Sequence, residues 1–266
     1  MDSGMLDVPG ARLYHERRGA GPVLLVILGG ASDAAMAGPL ADVLSDRYTV
    51  ITYDRRGLSR SPLPEPAAEQ RIETHADDAL RLLEAEPAYV FASHSGAMIG
   101  LDLLARHPER VRRLVAHEPP AFELLPDAGR WRRLAREAVK ICDREGPGPA
   151  MAHVGEQTGV APPGEPQPGL PPWVGEMLAR IGGNLETSLR YEMGPFSAYV
   201  PDQAALREAP LVVAYGADSE GRLMHRATLA TADLLGRRAV TLPGDHVGYL
   251  RAPAEFAGAL HELLSS

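Results

Sequence analysis

The sequence AYVFASHSGAMIGLDLLARH, residues 88–107, decides the fold of this chain. It begins with an apolar run, 88–92, which is typical of a short strand buried on both faces. It continues with a helical segment, 96–107, and Pro108 stops that helix. The junction 93–97 is therefore predicted to be a sharp turn that joins a strand directly to a helix.

Strand-like and helix-like segments alternate on both sides of this turn. The predicted strands are 6–8 and 11–18, which form a hairpin with its turn at 9–10, then 23–28, 48–53, 88–92, 111–116, 211–215 and 239–242. The predicted helices are 33–47, 72–86, 96–107, 222–235 and a last one from Pro253. An alternation of this length predicts an α/β fold with a doubly wound, mostly parallel sheet.

Residues 119–201 interrupt the alternation. They contain no convincing strand, but they carry helical patches at 131–142 and 173–191 around a loop, 146–172, that is rich in Pro and Gly. A loop of this length inside a compact domain is usually functional or disordered. We predict that 119–201 is a helical cap inserted into a core formed by 1–118 and 202–266.

Composition narrows the classes of function. The 266 residues include 27 Lys and Arg against 35 Asp and Glu, and aromatic residues make up only 5%. A net charge of −8 and few aromatics argue against a nucleic-acid partner. The sequence has no phosphate-binding loop, dinucleotide fingerprint or paired metal-ligand motif, so no cofactor and no metal are expected. The expected partner is a small-molecule substrate, and a homodimer stays open.

The expected location is the cytoplasm. The single cysteine, Cys142, rules out an intrachain disulfide and gives no sign of an oxidising compartment. The first residues lack a basic segment followed by an apolar one, so no signal peptide is visible. The longest aliphatic run, 23–28, is far too short to span a membrane.

The predicted turn makes Ser95 a candidate nucleophile. Sharp strand-to-helix turns expose reactive side chains, and they need small residues two positions before and after, here Ser93 and Ala97. The N–H groups at the start of the helix would then face whatever Ser95 attacks. The alternative is that Ser95 only caps the helix. We interpret His94 as a packing residue, because neighbouring side chains on a sharp turn point apart.

Five segments, taken in chain order, resemble the motifs of the α/β-hydrolase superfamily. They are Leu28-Gly29-Gly30, Asp54-Arg55-Arg56-Gly57-Leu58-Ser59-Arg60-Ser61, Ser93-His94-Ser95-Gly96-Ala97, Tyr215-Gly216-Ala217-Asp218 and Pro243-Gly244-Asp245-His246. The resemblance covers nearly all of the chain outside 119–201. It implies a triad in the order nucleophile, acid, histidine. Leu28, Ser59 and Ser93 depart from the usual residues, but none of these changes removes a catalytic atom.

A serine hydroxyl needs an adjacent base, and His246 fits best because it follows the last predicted strand. Two acids compete to orient it. Asp218 follows the strand 211–215, and Glu118 follows 111–116. The segment His117-Glu118-Pro119 also resembles the fungal zearalenone lactonases, in which a Glu at that place orients the histidine. We favour Glu118 slightly, because Pro119 fixes the chain after it, whereas a capping turn already explains Asp218.

The resemblance implies a serine hydrolase that cleaves an ester or lactone of a small to medium apolar substrate through an acyl-enzyme. The N–H groups of Gly30 and Gly96 are the predicted oxyanion hole. Trp173 and Met177 are candidate substrate contacts, although packing within the cap explains each of them as well. C–C bond hydrolysis, cofactor-free perhydrolase activity and a non-catalytic ligand-binding role remain alternatives. The sequence leaves the substrate itself open.

Overall fold

A computed structural model describes residues 1–63, 69–83, 86–160 and 171–266. Its strands form a single eight-stranded sheet in the order β1-β2-β4-β3-β5-β6-β7-β8. They are β1 (Asp2–Val8), β2 (Ala11–Arg18), β3 (Val23–Leu28), β4 (Thr49–Tyr53), β5 (Ala88–Ser93), β6 (Val111–His117), β7 (Leu211–Gly216) and β8 (Val240–Leu242). Only the pairs β1–β2 and β2–β4 are antiparallel. The predicted doubly wound, mostly parallel sheet is confirmed.

Helices cover both faces of the sheet. They are α1 (Gly38–Leu44), α2 (Ile72–Leu82), α3 (Ser95–Arg106), α4 (Ala128–Glu145), α5 (Pro147–Thr158), α6 (Pro172–Thr187), α7 (Met193–Ser197), α8 (Gln203–Leu206), α9 (Leu223–Leu234), α10 (Gly248–Arg251) and α11 (Pro253–Ser265). The strand β3 is buried throughout. Leu25 and Ile27 pack with α2 and α3, while Leu24 and Val26 pack with α1 and α11. Because both faces of β3 are covered by helices, its sequence is one continuous apolar run.

The described part of the segment between β6 and β7 consists of helices joined by short turns and contains no strand. We call residues 119–201 the helical insertion; it carries α4 to α7 and a π-helical turn, Ser188–Glu192. The predicted loop 146–172 is wrong in its first part, which forms α5. Gly146 precedes that helix with a φ of 91°, Pro147 opens it, and Gly159 ends it in the left-handed conformation. Proline and glycine therefore mark the beginning and the end of a helix here. The remainder, 161–170, lies outside the described residues.

Two other predicted segments are shorter than expected. The predicted helix 33–47 is a 3-10 turn, Ala34–Ala37, followed by α1. The predicted helix 72–86 ends at Leu82, and positions 84 and 85 lie outside the described residues. Within the described ranges, no helix combines the length and apolar character needed to cross a bilayer.

Candidate active site

The turn after β5 is centred on His94. The strand ends at Ser93 and α3 begins at Ser95, so His94 alone forms the bend, with φ 56° and ψ −134°. This conformation is rare for a residue with a Cβ and costs on the order of 1–3 kcal/mol, which the surroundings must offset. The sequence pattern predicts Ser95 at this position. The structure corrects that register by one residue.

Close packing explains the corrected register. Measured from His94, the small residues two positions away are Ala92 and Gly96, not Ser93 and Ala97. A Cβ on Gly96 would overlap the carbonyl oxygen of Ile27 in β3, and one on Gly100 would lie 2.9 Å from Cβ of Ala92. The first turns of α3 thus rest directly on the sheet, and this contact fixes which residue bends.

The loop after β3 presses against the start of α3. Gly30 N–H donates a hydrogen bond to Ser95 Oγ over 2.9 Å. A Cβ on Gly29 would overlap Ser95 N and would lie 2.5 Å from both Gly96 N and Ser95 Oγ. The structure therefore gathers the backbone N–H groups of Gly30, Ser95 and Gly96 at one spot, which suits a developing negative charge.

His246 is held by a buried carboxylate. It lies in the loop after β8, and its Nδ1 is 2.6 Å from Oε2 of Glu118. Glu118 follows β6 with a φ of 48°, is fully buried, and accepts a second hydrogen bond from Gly216 N–H over 2.9 Å. Burial by itself would raise the pKa of Glu118, but the hydrogen bond from His246 and the nearby His117 outweigh it and hold that pKa at about 2.

This contact fixes the chemistry of the His246 ring. A carboxylate only accepts hydrogen bonds, so Nδ1 of His246 must donate and Nε2 keeps its lone pair. Asp218, the other acid left open by the sequence, is exposed in the 3-10 turn Ala217–Ser219, where its backbone N–H donates to Gly244 O over 2.9 Å. The contact to His246 is therefore made by Glu118 and not by Asp218.

His94 faces His246. The two ring centroids are 5.0 Å apart and the rings are nearly perpendicular, at 79°. Nδ1 of His94 is buried and has no hydrogen-bond partner among the described residues. Burial, together with the neighbouring His246 and Arg55, lowers the pKa of His94 to about 3. His94 is therefore a neutral imidazole at physiological pH. His94 packs against His246 but lies at the bend itself, not beside it as the sequence predicts.

These groups open onto an apolar cavity of about 550 Å³. Ser95, His94 and His246 line its floor together with Gly30. The helical insertion supplies most of the remaining wall, through Met151, Val154, Val174, Met177, Leu178, Ile181, Leu185, Leu189, Met193 and Phe196. Met177 lies in this lining, and its contact with a substrate stays a prediction. Trp173 is outside the lining and is 46% exposed, because the cavity-facing stripe of α6 starts at Val174.

The helical insertion also holds the loop that carries Gly30. Arg55 donates to the carbonyl oxygens of Leu28 over 3.0 Å and of Gly30 over 2.6 Å, and it pairs with both carboxylate oxygens of Glu192 at 2.6 and 2.9 Å. Asn184 donates to the carbonyl oxygen of Ala31 over 2.9 Å. The sequence analysis quoted Arg55 within a motif, but no pattern in the sequence pointed to Glu192 or Asn184.

The comparisons with known proteins agree with this architecture. A family model described as alpha/beta hydrolase fold matches residues 22–140. The uncharacterized hydrolase YraK of Bacillus subtilis (strain 168) is 36% identical over 99% of this chain and 96% of its own length. A zearalenone hydrolase of Bionectria ochroleuca is 26% identical over 93% of this chain and 92% of its own length. A solved thermophilic esterase from Thermogutta terrifontis shares the fold, with a TM-score of 0.76, 20% identity and coverage of 100% of this chain and 98% of that one. The chain belongs to the α/β hydrolase family.

Proposed function

We propose that this chain hydrolyses carboxylic esters or lactones of medium size and apolar character, with His246 as the general base and Glu118 as the group that orients it. The observation that carries the proposal is the 2.6 Å contact between His246, which lines the cavity, and an ionised, buried Glu118 behind it. A histidine held in this way has a fixed tautomer and a free ring nitrogen, which is what proton transfer at a reacting carbonyl requires.

The remaining parts of the site suit the same chemistry. The substrate carbonyl oxygen would be bound by the N–H groups of Gly30, Ser95 and Gly96, each worth about 3–4 kcal/mol in the transition state. The helical insertion would act as a cap that covers the substrate and excludes water. The similarity to a zearalenone hydrolase, together with the position of Glu118, supports lactones as members of the substrate class.

The acyl group needs a carrier, and Ser95 is the candidate that the sequence offers. In that route Ser95 Oγ attacks the carbonyl carbon, His246 takes its proton and passes it to the leaving alcohol, and water then releases the acyl group. The position of Ser95 in the cavity floor supports this route. The route also requires Ser95 Oγ to exchange its hydrogen bond with Gly30 N–H for one with His246.

Hydrolysis of a panel of p-nitrophenyl esters and macrolactones tests the proposal. Replacing Glu118 by Gln leaves the volume unchanged but offers Nδ1 the wrong partner, so kcat should fall by about four orders of magnitude, as a wrong histidine tautomer does in the serine triad. Asp218→Asn is the matched control and should stay near the wild-type rate. The proposal would be refuted if every member of the panel bound without being hydrolysed. It would also be refuted if Asp218→Asn were inactive while Glu118→Gln stayed active.

A further inference from the structure

We propose that His94, rather than Ser95, attacks the substrate carbonyl, so that hydrolysis passes through an acyl-imidazole on His94. This inference rests on the proposed function and deepens it. It also narrows the substrate class to esters and lactones whose leaving oxygen belongs to a phenol or an enol.

The backbone conformation of His94 places its side chain where a nucleophile would meet the substrate. It is the bent residue between β5 and α3, and its ring lines the floor of the cavity. Ser95 lies in the first turn of α3, where its Oγ already accepts the hydrogen bond from Gly30 N–H. The side chain exposed by the sharp bend is thus an imidazole, and the neighbouring hydroxyl lies beside the N–H groups that would bind the carbonyl oxygen.

The second histidine is in place for the step that releases the acyl group. The ring centroids of His94 and His246 are 5.0 Å apart, and Glu118 holds only Nδ1 of His246. The other ring nitrogen of His246 is therefore left to take a proton from a water molecule that enters from the cavity. The arrangement keeps the order of nucleophile, base and orienting acid, with imidazole in place of the hydroxyl.

The charge state of His94 suits a nucleophile. Because burial lowers its pKa to about 3, the ring is neutral above mildly acidic pH and one nitrogen carries a lone pair. A serine hydroxyl must lose its proton to a base during attack, whereas a neutral imidazole can attack directly. Enclosure in a largely apolar cavity also keeps water from competing for that lone pair.

The reaction balances in two steps. In the first, a ring nitrogen of His94 forms a bond to the carbonyl carbon, and the C=O electron pair moves to the oxygen beside Gly30 N–H. This intermediate collapses, the C–O bond breaks, and the leaving oxygen takes up the proton that the acylated ring loses. In the second, His246 removes a proton from water, the water oxygen attacks the acyl carbon and the C–N bond breaks. The proton on His246 then returns to His94.

The leaving group sets the substrate class. The first intermediate can expel either the imidazole or the leaving oxygen, and it expels the weaker base. An alkoxide is a far stronger base than imidazole, so an alkyl ester would revert to the starting ester. A phenolate or enolate competes with imidazole and can depart. The cavity of about 550 Å³ has the size of a typical pocket for a small molecule.

A cinnamoyl ester makes the adduct visible. A cinnamoyl group on imidazole absorbs at longer wavelength than the same group on a serine hydroxyl. We would mix the protein with p-nitrophenyl cinnamate in a stopped-flow instrument at mildly acidic pH, where release of the acyl group is slow. The wild type should show the red-shifted acyl-imidazole spectrum, and so should Ser95→Ala. His94→Ser should show an ester-type spectrum instead and should be labelled at residue 94 by a fluorophosphonate.

Other outcomes separate this inference from the proposed function. An ester-type spectrum in the wild type that disappears in Ser95→Ala would assign the acyl group to Ser95 and overturn the inference, while leaving the hydrolase proposal in place. Turnover without any adduct would overturn it in the same way. Equal hydrolysis of the phenyl and ethyl esters of one acid would overturn the substrate class. If no ester or lactone is hydrolysed, the proposed function itself fails.

Discussion

Replacing Gly29 by alanine should remove most of the hydrolytic activity and should also lower the free energy of unfolding, because the added Cβ meets backbone atoms. Gly29 does not adopt a left-handed φ, so alanine adds no backbone strain and its effect is steric. The new methyl carbon would lie 2.5 Å from both Gly96 N and Ser95 Oγ, and closer still to Ser95 N, about 1 Å short of ordinary contact. It would fill the space in which the N–H groups are proposed to receive the carbonyl oxygen.

The size of the effect follows from the number of donors lost. The start of α3 cannot move away, because Gly96 already rests on Ile27. Losing one such donor costs about 3–4 kcal/mol in the transition state, which lowers kcat by about 100- to 1,000-fold. Steady-state hydrolysis of a p-nitrophenyl ester, with circular dichroism to verify folding, would measure this loss.

The matched control lies on the surface. Gly258 is a helical glycine in α11 with nothing within 4 Å of an added Cβ, so Gly258→Ala should keep full activity. A folded Gly29→Ala protein with kcat within about threefold of the wild type would mean that these N–H groups do not bind the reacting oxygen, and the site as described would fail. The same change should leave the His246–Glu118 contact intact, since the atoms nearest to the added Cβ belong to Ser95 and Gly96.

Three further predictions concern stability and selectivity. Burial lowers the pKa of His94 to about 3 and that of His117 to about 4, from 6.5, so below pH 6.5 the unfolded chain binds protons that the folded chain does not. The free energy of unfolding, measured in urea, should therefore fall by about 1.4 kcal/mol per pH unit for each of these histidines between pH 6 and 5. His94→Gln should remove the contribution of His94 to this slope. Glu192→Gln should lower stability by about 3–5 kcal/mol, because it leaves the Arg55 charge buried without its counter-ion; an unchanged melting temperature would contradict this. Met177→Trp should reduce hydrolysis of long-chain p-nitrophenyl esters more than that of the acetate, since Met177 lines the cavity; a uniform loss along the chain-length series would show that Met177 does not face the substrate.

The sheet could be predicted from the sequence because its central strands are rich in apolar and β-branched residues. Strands such as β3 and β4 are buried at every position, and glycine or proline follows or precedes most of them. The alternation of strands and helices predicts a mostly parallel sheet but not its order, in which β4 lies between β2 and β3. The helix α5 could not be found in this way, because its prolines and glycines are the residues of a loop unless their positions at the ends of the helix are known.

The candidate site could be predicted only in part. His246 stands out because few histidines follow a predicted strand near the end of the chain. The choice between Glu118 and Asp218 depends on which side chain is buried, and both simply follow a strand in the sequence. The bent residue was misplaced by one position, because the junction reads Ser93-His94-Ser95 and the flanking residues are all small. Only the contact between Gly96 and Ile27, which belongs to a distant part of the chain, fixes His94 at the bend.

The ion pair between Arg55 and Glu192 has a consequence for protein engineering. Arg55 belongs to the core and donates hydrogen bonds to the backbone of the loop 28–30. Its counter-ion, Glu192, belongs to the helical insertion. A chimera that grafts the insertion of another hydrolase onto this core would leave an unneutralised guanidinium beside the loop 28–30 unless the graft brings an acid to the same place. Swapping insertions to change the substrate range would therefore succeed only when the new insertion carries an acid at position 192 that can pair with Arg55.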